Sequence, residues 1–306
     1  MITRYAYGTG VWVDLEHPTE DEVRQVVKEF SVSDRLEAEL FSPTPTSLVA
    51  SDAHSTFLVI HFPAHGLTDG EIRDQEVDII AGDTFIITVH YEVVEPVHRL
   101  RKLLETQKLI SPSDTLGTGI LLEIIFAHLY TSVRDHTNHV ADRLAHIEHE
   151  MFNGGERMTV RDISNVSREF LHIEASLANQ DGSLGRFLKA LAARKSFDGA
   201  FLVRAERILA ERAQVVRLVA TYRAVATELR ETNAALLEAR QNEIMKTLTV
   251  ITFGMLPLEL IALVFSMHVL GTPLERDPNA FLIILGIMIV TGGAMMAFFA
   301  RKRWIF

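Results

Sequence analysis

Between Phe281 and Phe299 the chain reads FLIILGIMIVTGGAMMAFF, 19 residues without a charge and with glycines at 286, 292 and 293. That is close to the ~20 apolar residues a helix needs to cross a ~30 Å hydrocarbon core. Arg301, Lys302 and Arg303 follow at once, and basic residues beside a span favour its cytoplasmic side. The preceding stretch, Leu248 to Val269, is also long enough to span and carries one carboxylate, Glu259, and one proline, Pro257. Only the segment 270–279 separates the two, so they are expected to form an antiparallel hairpin with the large N-terminal part on the same side as the C-terminus. Met1 to Gly10 lacks the 7–15-residue apolar core of a secretory leader, so the soluble part is expected to stay where it is made. The expected location is the inner (plasma) membrane, multi-pass, with both termini cytoplasmic.

Charge is distributed as unevenly as hydropathy. Of 30 basic and 40 acidic residues, only five and three lie beyond Met245, so the formal charge of −10 divides into −12 before that point and +2 after it. An acidic soluble part argues against nucleic acid as a partner and suits cation handling. The chain has no cysteine, which removes disulfides, thiolate nucleophiles and cysteine-type zinc sites together.

The first 95 residues read as mixed α/β. Val11 to Leu15 forms a strand pattern, and Pro18-Thr19-Glu20 opens a helix with acidic residues in its first turn. Phe57 to Phe62 and Phe85 to His90 are β-branched and aromatic. Gly82-Asp83 joins Val77-Asp78-Ile79-Ile80 to the latter as a hairpin. From Pro96 onward helices dominate. Leu116 to Met151 has helical apolar spacing and stops at Asn153-Gly154-Gly155, and a second helical stretch is expected from about Thr159 to Leu191. A third starts near Ser196 or Phe197 and meets no Pro before 257 and no Gly between 199 and 254. It runs into the first span and would be a rod of ~105 Å. A lone helix of that length is unstable in water, so copies of it are expected to associate. The resulting fold class is an α+β membrane protein. Its parts are a cytoplasmic α/β sandwich (1–95), a helical part (96–195), a long stalk helix (196–247), a first transmembrane helix (248–269), an extracytoplasmic loop (270–279), a second transmembrane helix (280–300) and a basic tail (301–306).

Counting in sevens along the long helix gives Glu231, Glu238, Met245, Thr252, Glu259 and Ser266, five of them polar. A heptad stripe keeps one face towards a symmetry axis. Several copies would then enclose a column lined by carboxylates, a thioether and hydroxyls, and carboxylate rings attract and hold cations. Glu231 and Glu238 equally suit a solvated face. Glu259 lies near the middle of a span, where a carboxylate costs several kcal/mol unless it meets water or a partner.

On the earlier helix Asp135, His139, Asp142, His146 and His149 are spaced 4-3-4-3 and share one face. Imidazole and carboxylate at such spacing suit zinc or a similar cation, and the same stripe also suits a plain exposed polar face. His61, His90 and His98 read as structural histidines. There is no phosphate-cradling Gly-rich loop and no G-x-S-x-G elbow, and His146-Ile147-Glu148-His149-Glu150 is not the zincin spacing. No catalytic set supports an enzyme, and no covalently bound cofactor is expected.

Asn242-Glu243-Ile244-Met245-Lys246-Thr247-Leu248-Thr249 resembles the N-E-x-M-K-x-L-T segment of the CorA family of divalent-cation channels, which includes the ZntB zinc transporters. Pro257-Leu258-Glu259-Leu260-Ile261-Ala262 resembles the family's P-L-T-x-I-A, and Lys302-Arg303-Trp304 its basic-Trp ending. Weaker likeness runs through Trp12-Val13-Asp14-Leu15, the hairpin from Glu76 to His90, and the helix around Leu129-Tyr130. Two departures matter. The family's Y-G-M-N-F is replaced by Phe265-Ser266-Met267-His268-Val269, and Glu259 stands where the family has Thr.

The resemblance implies a homopentamer with a cytoplasmic funnel and a pore formed by the first transmembrane helix, with Mg²⁺, Zn²⁺, Co²⁺ or Ni²⁺ as transported or regulatory ions. It implies a conduit lined by Glu231, Glu238, Asn242, Met245, Leu248, Leu256, Glu259 and Leu263, with Ser266, Met267 and His268 at the outer mouth. Met245, Leu248 and Leu256 would be apolar constrictions that gate by dewetting. Thr252 and Ser266, on the heptad line, would fall off the family's axis. Loop residues Glu275 and Asp277 either gather cations or are simply exposed. His268 suits zinc, nickel, cobalt or copper better than magnesium; it equally suits a blocked pore, or one gated by protonation. The expectation is a divalent-cation channel or transporter not strictly selective for Mg²⁺. The alternatives are a non-conducting sensor or scaffold of the same fold and proton-coupled transport through Glu259.

Overall fold

The computed structural model describes residues 1–8, 10–65, 72–110, 116–197, 199–267 and 278–302. His268, Glu275, Asp277, Arg303 and Trp304, on which several expectations rest, lie outside the described residues, as does 270–277 of the expected loop. Packing divides the chain into Met1–Arg230 and Glu231–Phe306.

The first unit is built on one six-stranded sheet, β1 (Ile2–Tyr7), β2 (Gly10–Glu16), β3 (Val49–Ser51), β4 (Ser55–His65), β5 (Ile72–Gly82) and β6 (Phe85–His90), in the order β1-β2-β6-β5-β4-β3. The expected β5–β6 hairpin is present, antiparallel, with Ile80 opposite Ile87. Both expected flanking strands are present and run longer than their apolar cores. The sheet is closed at its centre by a parallel pairing of β2 with β6, Val13 beside Ile87. A parallel pair needs a long crossover, and here everything from α1 to β5 forms it.

One face carries Val13, Leu15, Phe57, Val59, Ile80, Ile87 and Val89. They pack on Val23, Val26 and Val27 of α1 (Glu20–Glu29) and on Leu36 of α2 (Asp34–Glu39). Helix α1 opens where the Pro-Thr-Glu signal predicts, with Glu20, Asp21 and Glu22 in its first turn, and Thr19 and Glu22 close a capping box there. The opposite face is covered by α3 (Glu95–Ile110), α4 (Thr118–Glu150), α5 (Glu156–Asn179) and α6 (Asp181–Ala192). The single helix expected from 159 to 191 is two helices, broken at Gln180. That residue is fully buried, donates from Nε2 to the His61 carbonyl at 2.6 Å and accepts from Tyr130 at 2.9 Å. The break is fixed by this tertiary contact, beside Asn179, Asp181 and Gly182.

Helix α7 is continuous over Gly199–Ser266, 68 residues including Pro257. Its part within the first unit is held by ion pairs and apolar contacts. Arg204 reaches Glu123 at 2.7 Å, Arg134 reaches Glu211 at 2.6 Å and Arg212 reaches Asp181 at 2.7 Å. Arg223 pairs with Glu174, and Phe170 stacks on Tyr222. Gly119 allows the approach of Phe201, whose Cδ2 would lie 2.8 Å from an added Cβ. The second unit holds the rest of α7 and α8 (Ala280–Arg301), and both helices contain windows long and apolar enough to cross a membrane.

Candidate functional site

In the second unit α7 has two unlike sides. Val250, Gly254, Pro257, Leu258, Ile261 and Phe265 are half-buried and share a helical face, at steps of 3, 4 and 7. Gly292 of α8 leaves Leu258 at 3.9 Å from the place a Cβ would occupy. Roughly 150° around the helix lie Met245, Thr252, Leu256, Glu259 and Leu263, all exposed, with Leu248 and Ser266 beside them. Met245 is 54% exposed, Leu256 53% and Leu263 65%. Glu231, Glu238, Asn242 and Met267 are also exposed. Among the described residues no side chain pairs with Glu259. The residues expected to line a conduit therefore lie on sides of α7 that do not pack against α8. Thr252, assigned to the stripe by heptad count alone, is on the same side. Its hydroxyl donates to the Leu248 carbonyl at 2.9 Å, which leaves the oxygen's lone pairs outward.

The soluble unit holds three polar clusters. The first lies where β2 meets β6. Asp14, Glu16 and His90 each offer a ligand atom within 4.8 Å of the others. Protein groups already balance the charge: Arg101 of α3 lies 3.3 Å from Asp14 Oδ2 and 3.4 Å from Glu16 Oε2. Thr88 donates to Asp14 Oδ1 at 2.6 Å, and Trp12 donates to Thr88 at 2.9 Å. The His90 ring nitrogens face Asp14 Oδ1 at 3.2 Å and the Glu92 carbonyl at 2.7 Å. Burial would lower its pKa, but the bond to Asp14 and that carboxylate's charge outweigh burial and raise it. With an imidazolium and a guanidinium on two carboxylates, the cluster is a completed structural network, as the reading of His90 expects. His98 joins it through Arg101 at 2.8 Å.

The second lies on the opposite face of the sheet. Asp78 is fully buried; its Oδ2 accepts from Tyr91 at 3.2 Å and its Oδ1 has no partner. Glu76, two residues along β5, takes the Thr44 N–H on both oxygens, at 2.7 and 2.9 Å, and His61 lies 3.4 Å away. Burial first, then the charge of Glu76, holds the Asp78 pKa well above the carboxylate range. The hydrogen bond to Glu76 raises that of His61. Sequence reading missed this pair, although the signal was available. Glu76 and Asp78 stand two apart on β5, at its passage from the polar 73–76 to the apolar 79–81, and so must share a face.

The third is the stripe on α4. His139, Asp142, His146 and Glu150 line an open groove of about 420 Å³, with Asp162 of α5 on its other side. Asp135 and His149, expected to belong with them, do not line it, and Glu150 and Asp162 were not foreseen. Arg143, also at the groove, is held by Glu169 at 2.6 Å, and Glu169 accepts as well from His136 at 3.0 Å. Burial would raise the Glu169 pKa, but these two partners together lower it.

Comparison with known proteins follows the same architecture. Residues 7–302 match the family model described as CorA-like Mg2+ transporter protein. A cobalt/magnesium transport protein, CorA, of Methanocaldococcus jannaschii is 24% identical over 298 residues, covering 96% of this chain and 91% of that protein. The solved structure of the complete CorA magnesium transporter from the same organism superposes with a TM-score of 0.82 at 21% identity, covering 97% and 92% of the two chains. The cytoplasmic domain of ZntB from Vibrio parahaemolyticus shares the fold at 9% identity, with a TM-score of 0.61 over 75% of this chain and 88% of that one.

Proposed function

The chain belongs to the CorA-like Mg2+ transporter family, and from that premise we propose that it is a homopentameric conduit for divalent metal cations in the inner membrane. The observation that carries the proposal is the division of α7. One side meets α8, and the sides away from it present Glu231, Glu238, Asn242, Met245, Leu248, Leu256, Glu259 and Leu263. Apolar side chains on that side need either lipid or a copy of the same helix; a carboxylate at the middle of a span needs water or a partner. Five such faces turned to a common axis satisfy both requirements. The carboxylates would hold the ion, and Met245, Leu248 and Leu256 would be the constrictions that dewet when closed. The acidic part before Met245 would raise the cation concentration at the inner mouth over about a Debye length, ~8 Å at physiological ionic strength. With the basic residues 301–303 inside, both termini are cytoplasmic.

Replacement of the family's outer-mouth asparagine by His268 favours an ion that accepts an imidazole, so transport is not restricted to Mg²⁺. The same replacement supports a second reading, a membrane sensor of this fold that does not conduct. Flux measured in proteoliposomes with Mg²⁺, Zn²⁺, Co²⁺ and Ni²⁺ separates them. Cation-dependent flux of at least one metal is expected. Verified pentamers that pass none of the four would end the conduction reading and leave the sensor.

A further inference from the structure

Thr252 places a hydroxyl inside the apolar stretch of α7. Helix rise puts it ~6 Å past Leu248, ~6 Å before Leu256 and ~11 Å before Glu259, and at about 100° per residue it falls within ~40° of all three. All four side chains are exposed. The Thr252 hydroxyl donates its proton to the Leu248 carbonyl at 2.9 Å. A hydroxyl has one hydrogen and two lone pairs, so what it offers beyond its own helix is an acceptor and nothing else. Valine, of nearly the same shape, would offer none.

An acceptor at this height bears on an ion that travels with its water. Water bound to a cation turns its oxygen to the ion and its hydrogens outward, so the outer surface of a hydrated cation is a set of donors. Carboxylates and hydroxyls whose proton is already spent match that surface; methyl and thioether groups do not, and an apolar neck without acceptors dewets. Mg²⁺ dehydrates reluctantly, so a neck that cannot accept from its shell excludes it.

Resting on the conduit reading above, we propose that Thr252 is the specificity-determining residue of the neck. The hydroxyls of all protomers form a ring of acceptors that holds water between the Leu248 and Leu256 constrictions and passes a divalent cation with its hydration shell intact. The ring divides the apolar neck into two shorter parts, each easier to wet than the whole, and delivers the ion hydrated to the carboxylates of Glu259. An anion, whose shell waters present lone pairs outward, finds no donor there.

Two measurements test this, and the absence of cysteine from the chain keeps the first free of background thiols. Full-length T252C and V250C oligomers are titrated with Cd²⁺ in detergent. Val250 lies at nearly the same depth as Thr252 but ~160° round the helix, on the side that meets α8. Thiolates are strong ligands for soft ions, so T252C is expected to gain about one site per oligomer over the parent and V250C none. The second measurement is flux in proteoliposomes, read for the metal the parent passes fastest. T252V should lower that flux at least ~10-fold, and T252S should retain it within ~3-fold. T247V removes a hydroxyl bonded in the same way to the Glu243 carbonyl but ~140° away, and should leave flux unchanged. A hydroxyl turned to lipid would give no new Cd²⁺ site and a T252V variant as active as the parent; either result overturns the proposal, as does equal loss in T252S and T252V. A parent that passes no metal ends the conduction reading and not the placement of the ring, which the Cd²⁺ titration of T252C still decides.

Discussion

Replacing Asp78 by Asn should stabilise the soluble unit, and only above the pH at which an ordinary aspartate ionises. Asp78 is completely buried, with Tyr91 as its donor on one oxygen and nothing on the other. Glu76 is already bonded to the Thr44 N–H, and Glu39 adds repulsion. Two ionised carboxylates cannot bond to one another; with one proton between them they can. The folded state therefore holds a proton on Asp78 that the unfolded chain releases at the usual value. Because the folded pKa is raised, stability from this group is full below the unfolded pKa near 3.8 and is lost as pH rises through the folded one. Asn at this position mimics the protonated acid at every pH: its Oδ1 accepts from Tyr91 and its Nδ2 donates to Glu76. Leaving a buried polar group unsatisfied costs about 1–3 kcal/mol, which for a unit of this size is roughly 3–8 °C in Tm. Thermal unfolding of the full-length protein, followed by circular dichroism between about pH 3 and 8.5, should show no gain at the acid end and a gain that grows as pH rises above the unfolded pKa. An equal shift at both ends, or destabilisation at pH 8, would show that Asp78 is not held protonated.

Other substitutions test other parts of the structure. Arg101→Ala leaves Asp14, whose side chain is 3% exposed, without its guanidinium; a loss of about 3–5 kcal/mol is expected in thermal or denaturant unfolding. Glu169→Gln should cost about 1–3 kcal/mol at neutral pH. It should also flatten the acid limb of the stability profile. The lowered pKa of Glu169 contributes stability above its unfolded value, and that stability disappears as pH falls through the folded value. Glu259→Gln should lower divalent-cation flux at least ~10-fold, about 1.4 kcal/mol, by removing the only carboxylate of the spans from the proposed column; unaltered flux and pH dependence in liposomes would place Glu259 outside the path.

Much of the candidate conduit was legible because it depends on one helix. A period of seven along 231–266 selects one side of any helix it occupies, so Glu231, Glu238, Met245, Thr252 and Glu259 could be put on a common line before any fold was known. The strands around Phe57 and Phe85 were legible for a similar reason, since β-branched and aromatic runs report a two-sided buried strand. The α4 stripe was half legible. Spacing joined His139, Asp142 and His146, but it also admitted Asp135 and His149, which lie on that face and outside the groove, and it had no access to Asp162 on a different helix. Strand β1 and the break at Gln180 were missed although Ile2, Thr3, Tyr5 and Tyr7 are strand formers and Asn179-Gln180-Asp181-Gly182 is a breaker cluster.

What the amino-acid order determined by itself is local and periodic: the charge-free run that must meet lipid, the uninterrupted helix before it, the single carboxylate within the spans, and the acidic character of everything ahead of Met245. Hydropathy and helical period act over a few residues and need no partner to be read. Only the tertiary structure decided the long-range pairings: β2 beside β6 across most of the α/β part, Arg101 upon Asp14, and His61 and the Thr44 N–H upon Glu76 beside the buried Asp78. Each of those energies depends on burial and on distance between residues far apart in the chain. Burial against Glu76 turns an unremarkable aspartate in a strand into one whose pKa is raised well above its ordinary value.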